Sequence, residues 1–109
     1  MKLFIDDERF PPGFNQHSWV IARTLADVQE LFADGHYPQF ISFDHDLGED
    51  QPTGMDIARW ICEYDMDEGV LPDNFSWYTH SQNPIGKQNI DGYLSQYLKF
   101  KQMQKNAPI

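Results

Sequence analysis

At 109 residues, with 40% hydrophobic and 15% aromatic residues, the chain supports one small folded domain spanning 1–109 and excludes a pair of catalytic domains. Eight Lys plus Arg against seventeen Asp plus Glu leave a formal charge of −9, which excludes a broad nucleic-acid-binding platform but leaves room for a local pocket that takes a small phosphate end. The single cysteine, Cys62, forms no internal disulfide, no apolar run reaches membrane-spanning length, and the start MKLFIDDE turns acidic too early for a secretory signal, so a cytoplasmic location is expected.

Lys2 to Ile5 is an apolar run ended abruptly by Asp6 and Asp7, the pattern of a buried strand whose carboxyl end meets solvent. Pro11, Pro12 and Gly13 bar a helix next, so a semi-rigid loop is expected up to Ser18, followed by a second strand over Trp19 to Ala22. Leu25, Val28, Leu31 and Phe32 then recur at helical spacing behind Thr24 as cap, and Gly35 stops that helix. Phe40 to Phe43 is the third strand, and it too runs straight into acids, in Asp44-His45-Asp46-Leu47-Gly48.

Thr53 with Asp56 offers a second capping pattern, ahead of a helix whose stripe is Met55, Ala58, Ile61 and Cys62 and which Gly69 and Pro72 close. Phe75 to Tyr78 is an aromatic fourth strand. Asn83 and Pro84 then open a last helix with Ile90, Tyr93, Leu94, Tyr97 and Leu98 on its buried face, and a frayed polar tail is expected beyond Lys101. Strands alternating with helices point to a three-layer α/β domain with a short, mainly parallel sheet of about four strands. In such sheets ligands bind beyond the carboxyl ends of the strands, and three strand ends here deliver ionisable residues to that rim.

Three carboxylates close together, Asp6, Asp7 and Asp44, repel one another unless a cation relieves them, and Mg²⁺ or Mn²⁺ is the simplest relief. Zinc ranks lower, because neither a close His-x-x-x-His nor a Cys-x-x-Cys spacing occurs. His45 and His80 stand at strand ends, unlike His17 and His36, and a histidine pair can take and give a proton in one displacement at phosphorus. Asp46 is placed to orient an imidazole. Arg9, Arg23 and Lys87 are scarce cations near the rim, an ordinary ion pair being the expected use of Arg23; Ser81, Asn83 and the helix start add phosphate-binding groups. Neither a Gly-x-Ser-x-Gly turn nor a Gly-x-x-x-x-Gly-Lys loop is present, which leaves triad hydrolases and nucleoside triphosphatases with little support.

The stretches LFIDDER, ISFDHDLG with the downstream PTGMD, and THSQNPIG resemble the cyclic-phosphate-processing receiver-like domains, relatives of response-regulator receivers. The resemblance runs from Leu3 to about the final helix. It implies a receiver-like (flavodoxin-like) sheet and action on cyclic phosphate ends of RNA or on cyclic nucleotides. Asp6 and Asp7 match the receiver acidic pair, Asp44 the phosphoacceptor position, and Thr79 or Ser81 the hydroxyl position. The chain departs from ordinary receivers in its Pro-rich loop between strands one and two and in lacking a strand-five lysine.

The resulting expectation is a metal-assisted phosphoesterase acting on a small cyclic phosphate or an RNA terminus. Asp6, Asp7 and Asp44 would hold Mg²⁺ (or Mn²⁺), and His80 and His45 would act as acid and base. Arg9, Ser81, Asn83 and Lys87 would contact phosphate, and Asp44 is also positioned for a covalent aspartyl-phosphate. The competing expectation is a noncatalytic or phosphoaccepting receiver-like module that signals, senses a ligand or docks a protein partner.

Overall fold

The computed structural model describes residues 1–12 and 18–106. Its elements are β1 (Lys2–Ile5), β2 (Trp19–Ala22), α1 (Leu25–Ala33), β3 (Phe40–Phe43), α2 (Gly54–Glu68), β4 (Ser76–Thr79) and α3 (Pro84–Asn106). The four strands form one parallel sheet in the order β2-β1-β3-β4, the receiver-like α/β arrangement expected. Part of the Pro-rich loop, including His17, lies outside the described residues, as does the end of the tail.

Period-two alternation sorts the strand residues by face. Leu3 and Ile5 of β1 and Ile41 and Phe43 of β3 share the core with Val28, Phe32, Ile57, Ile61, Ile90 and Leu94 of the helices. Parallel crossovers are right-handed, so connections stepping in the same direction across a sheet lie on the same face. The steps β2 to β3 and β3 to β4 run the same way, which sets α1 and α2 side by side, with α3 against α2. The step from β1 back to β2 belongs to the other face, where Pro11 and Pro12 keep the described part of the connection non-helical. That face carries an aromatic row instead: Trp19 meets Phe4 and Phe40 edge-on, each at 5.8 Å, and the Lys2 ammonium lies 4.8 Å over the Trp19 ring.

The caps form as the sequence indicates. Thr24 accepts from the Asp27 N–H at the start of α1, Thr53 and Asp56 form a reciprocal capping box on α2, and Asn83 Oδ1 accepts from the Gly86 N–H on α3. Two boundaries differ from expectation. The fourth strand begins at Ser76, because its register is set by pairing with Phe40, while Phe75 is buried in the preceding turn with its N–H on Pro72 O. The last helix continues to Asn106 rather than fraying beyond Lys101, because Lys101 is tied to Asp65 and Lys105 to Asp73.

Asp65 is the buried anchor of that helix. It accepts from the Leu71 N–H at 2.7 Å, the Tyr97 hydroxyl at 2.6 Å and Lys101 Nζ at 2.7 Å. Burial alone would raise its carboxyl, but Lys101, Tyr97 and the Leu71 N–H outweigh that and hold it below the usual range. Burial next to Asp65 also pushes the Cys62 thiol up to about 12, which makes it an unreactive core residue.

A carboxyl lowered on folding stabilises the native state above its unfolded pKa, and that stabilisation is lost as pH falls through the folded value. Asp65→Asn is therefore expected to cost about 1.5–3 kcal/mol at neutral pH, the range for hydrogen bonds to a charged group, and to lose less stability than wild type on acidification below about pH 4. Denaturant titrations of both proteins between pH 7 and pH 3 check this.

Candidate functional site

The sheet continues its ladder one residue past three strands. Asp44 donates its N–H to Ile5 O and His80 donates to Phe43 O, both at 2.9 Å, and Asp6 donates to Ala22 O at 3.2 Å. These three residues therefore stand in one row across the carboxyl edge of the sheet, with main chains fixed by the strands. Row position also sets direction. Asp6, Asp44 and His80 fall on the same side as Phe4 and Ser42, two residues further along in the strand alternation.

Asp6 is fully buried, and each of its oxygens takes two donors. Oδ1 accepts the Glu8 N–H at 3.0 Å and the Arg9 N–H at 2.8 Å, while Oδ2 accepts Arg9 Nε at 2.9 Å and meets His80 Nε2 at 3.0 Å. Burial would raise this carboxyl, but the two main-chain N–H groups, His80 and the Arg9 charge prevail and hold it below its ordinary value. Arg9 Nη2 reaches on to Asp44 Oδ2 at 3.3 Å, so one guanidinium spans both acids. Among the described residues Asp44 Oδ1 accepts only the His45 N–H, at 2.8 Å, which leaves Asp44 with acceptor capacity that Asp6 lacks.

His80 is held on three sides. Its ring stacks on Phe4 with centroids 4.6 Å apart and planes 4° from parallel, and Nδ1 lies 2.7 Å from Ser42 Oγ. Because ionised Asp6 only accepts, Nε2 carries the proton in the bond to Asp6; Ser42 then donates to the Nδ1 of a neutral ring or accepts from an imidazolium.

In front of this cluster lies an open crevice of about 560 Å³, lined among others by Asp7, Arg9, Asp44, Asp46, Ser81 and Asn83. Asp7, one residue out of register with Asp6, is exposed and borders the crevice rather than joining Asp6 and Asp44. His45 does not line it. The His45 Nδ1 is 2.8 Å from Asp46 Oδ1, and this bond is the main cause of the lowered Asp46 carboxyl. Asp46 Oδ2 in turn accepts from Asn83 Nδ2 at 3.4 Å, so His45, Asp46 and Asn83 tie the exit of β3 to the start of α3. Asn83 Oδ1 is committed to the cap, and Ser81 Oγ accepts the Asn83 N–H at 3.1 Å, its own proton having no acceptor among the described residues.

Lys87 stands apart from the crevice. Its ammonium donates to Thr79 O at 3.1 Å, lies 3.3 Å from Asp91 Oδ2 and sits 5.1 Å over the Tyr78 ring. The Thr79 hydroxyl is likewise turned to Asp91, at 2.7 Å. Arg23 makes carbonyl contacts rather than the ion pair expected of it: Nη1 donates to Asp6 O at 2.9 Å and Arg9 O at 2.6 Å, bracing the loop that carries Arg9.

Asp6, Asp44 and His80 each offer a ligand atom, and these atoms lie within 4.8 Å of one another. The two carboxylates are donors of the kind that hard divalent cations take, whereas the imidazole is the donor typical of zinc, copper, iron or nickel. The Arg9 guanidinium already bonds both acids, so a divalent ion gains full use of Asp6 only when Arg9 moves.

Several positioning residues escape a reading by residue type. Ser42 carried a signal, as the one polar residue within an apolar strand, whereas Phe4 read simply as core. Gly54 and Gly86 are required by close approach. A Cβ on Gly54 would stand 1.9 Å from Asp44 O, and one on Gly86 would stand 2.4 Å from His45 Cγ. Gly54 thus lets α2 start against the exit of β3, its N–H on His45 O at 2.7 Å.

In an exposed helix interior, Gly→Ala stabilises by up to about 1 kcal/mol. Gly92→Ala, with nothing near the new methyl, is expected to show that gain. Gly86→Ala is expected to cost about 1–3 kcal/mol instead, since the root of the His45 side chain must shift. Thermal melts of the two variants, with the His45 ring signals followed by NMR, check both signs.

The family model for the cyclic-phosphate processing receiver domain matches residues 1–96. Neither the curated proteins nor the solved structures give a match. The matched stretch holds all four strands and every residue of the Asp6–Asp44–His80 row, and on that match the chain belongs to the cyclic-phosphate processing receiver domain family.

Proposed function

We propose that the protein is a phosphoesterase that opens a cyclic phosphate, on a small cyclic nucleotide or at an RNA terminus. The observation that carries this reading is the convergence in one polar crevice of a cation, Arg9, a carboxylate with open acceptor positions, Asp44, and a hydroxyl free to donate, Ser81. The phosphate is the natural partner of Arg9, whose remaining N–H groups have no partner among the described residues. A net charge of −9 favours a short or terminal phosphate over an extended strand.

In this reading Asp44 receives the proton of the attacking water. The water oxygen bonds to phosphorus, one P–O ester bond of the ring breaks, and the leaving oxygen takes a proton from His80 as an imidazolium held in place by Asp6; the product is a phosphomonoester. A Mg²⁺ or Mn²⁺ ion would be held by the Asp6 and Asp44 carboxylates, leaving His80 to carry its proton, and would withdraw charge from the phosphate oxygens. His45 and Asp46 brace the crevice wall, and Asn83 joins them to the cap of α3.

The phosphoaccepting alternative has less in its favour. The Thr79 hydroxyl and the Lys87 ammonium are both engaged around Asp91 rather than beside Asp44.

The test is turnover of 2′,3′- and 3′,5′-cyclic phosphates by the full chain, with Mg²⁺, with Mn²⁺ and in EDTA. Ring opening is expected, with kcat lowered by about 10²–10⁴ in His80→Ala and Asp44→Asn and by much less in His45→Ala. No turnover under any condition, or full turnover by Asp44→Asn, overturns the reading.

A further inference from the structure

A carboxylate offers about four acceptor positions, and all four on Asp6 are taken, one of them by Arg9 Nε. The same guanidinium lies on Asp44 Oδ2. It thus occupies the two acids from which a divalent cation would draw its carboxylate ligands.

We propose that Arg9 is the built-in counter-ion of the Asp6–Asp44 pair and competes with a divalent cation for it, so that cation loading expels the guanidinium into the crevice, where it takes the phosphate. This rests on the reading of the crevice as a cation and phosphate site. A guanidinium and a metal ion cannot share the two carboxylates, because their charges repel and Asp6 has no spare lone pair.

The exchange is local in its demands. The Arg9 side chain is 43% exposed at the crevice mouth, so the head group has space to leave its seat. Its main chain stays in place: the Arg9 N–H remains on Asp6 Oδ1, and Arg23 Nη1 holds both Asp6 O and Arg9 O. Only the bonds from Nε and Nη2 break. Loss of the Arg9 proton cannot empty the seat, since an arginine guanidinium is not deprotonated in proteins. A second cation is the exchange partner that remains at neutral pH.

The experiment is calorimetric Mn²⁺ binding to the full chain as wild type and as Arg9→Gln. The variant is expected to bind Mn²⁺ roughly ten- to a hundredfold more tightly, the worth of the charged hydrogen bonds that no longer compete. Titration of Mg²⁺ into the wild type, followed at the Arg9 Nε–H signal by NMR, gives a second arm that needs no variant to fold. That signal is expected to move and lose protection as Mg²⁺ saturates.

Equal or weaker Mn²⁺ binding by Arg9→Gln, no Mn²⁺ binding by either protein, or an Arg9 signal unchanged through Mg²⁺ saturation overturns the proposal. Neither arm uses turnover. A protein that opens no cyclic phosphate but shows tighter Mn²⁺ binding without Arg9 would sink the phosphoesterase reading and leave the competition standing.

Discussion

An ionised carboxylate fully buried at the end of a central strand is tolerable only when its lone pairs are met, and the geometry of the site follows from how Asp6 meets that requirement. Two donors come from the next turn of chain, the N–H groups of Glu8 and Arg9, and they fix the course of the loop leaving β1. The other two come from the Arg9 head group and from His80 on β4. The loop, the guanidinium and the imidazole are therefore positioned by one residue. Asp44 joins this arrangement through Arg9, and it lines the crevice with acceptor positions that Asp6 lacks among the described residues.

The strand ends were legible because a buried parallel strand announces its carboxyl terminus by the switch from apolar to acidic residues. Lys2–Ile5 and Phe40–Phe43 have the expected bounds for that reason, and the Thr53–Asp56 and Asn83 caps were equally readable. Grouping Asp7 with Asp6 neglected parity: consecutive residues leaving a strand point to opposite sides, so only one of them faces Asp44. The course of Lys87 depends on Asp91, one helical turn further along α3, which reaches β4 only once the chain is folded. The seat of Arg9 was illegible for a similar reason, since a surface cation and an internal counter-ion look alike in sequence.

The uneven dressing of the sheet explains the position of His80. With α1, α2 and α3 gathered on one face, the described part of the other is covered by aromatic side chains. Phe4 gives the imidazole a flat apolar support, and Ser42, in the neighbouring strand, gives Nδ1 its polar partner. A large branched residue at position 42 would fill the space that the hydroxyl needs and leave the ring without that bond. The departures from strict apolar alternation are thus concentrated beneath the site, where a function would exact them.

Electrostatics then sets a condition on how an anion enters. The crevice lining includes Asp7, Glu8, Asp44 and Asp46 against the single guanidinium of Arg9, and two bonds of that guanidinium are spent on carboxylates. A phosphate approaching this arrangement meets more like charge than opposite charge. If a divalent cation takes the carboxylates and Arg9 turns outward, the excess of like charge shrinks and the guanidinium is freed to meet the phosphate. Cation and phosphate are then linked ligands: whatever factor the cation contributes to phosphate affinity, the phosphate must return to cation affinity. Under the proposed exchange, such reciprocity would keep an acidic protein from binding phosphate groups indiscriminately, because high affinity at the crevice would require both partners together.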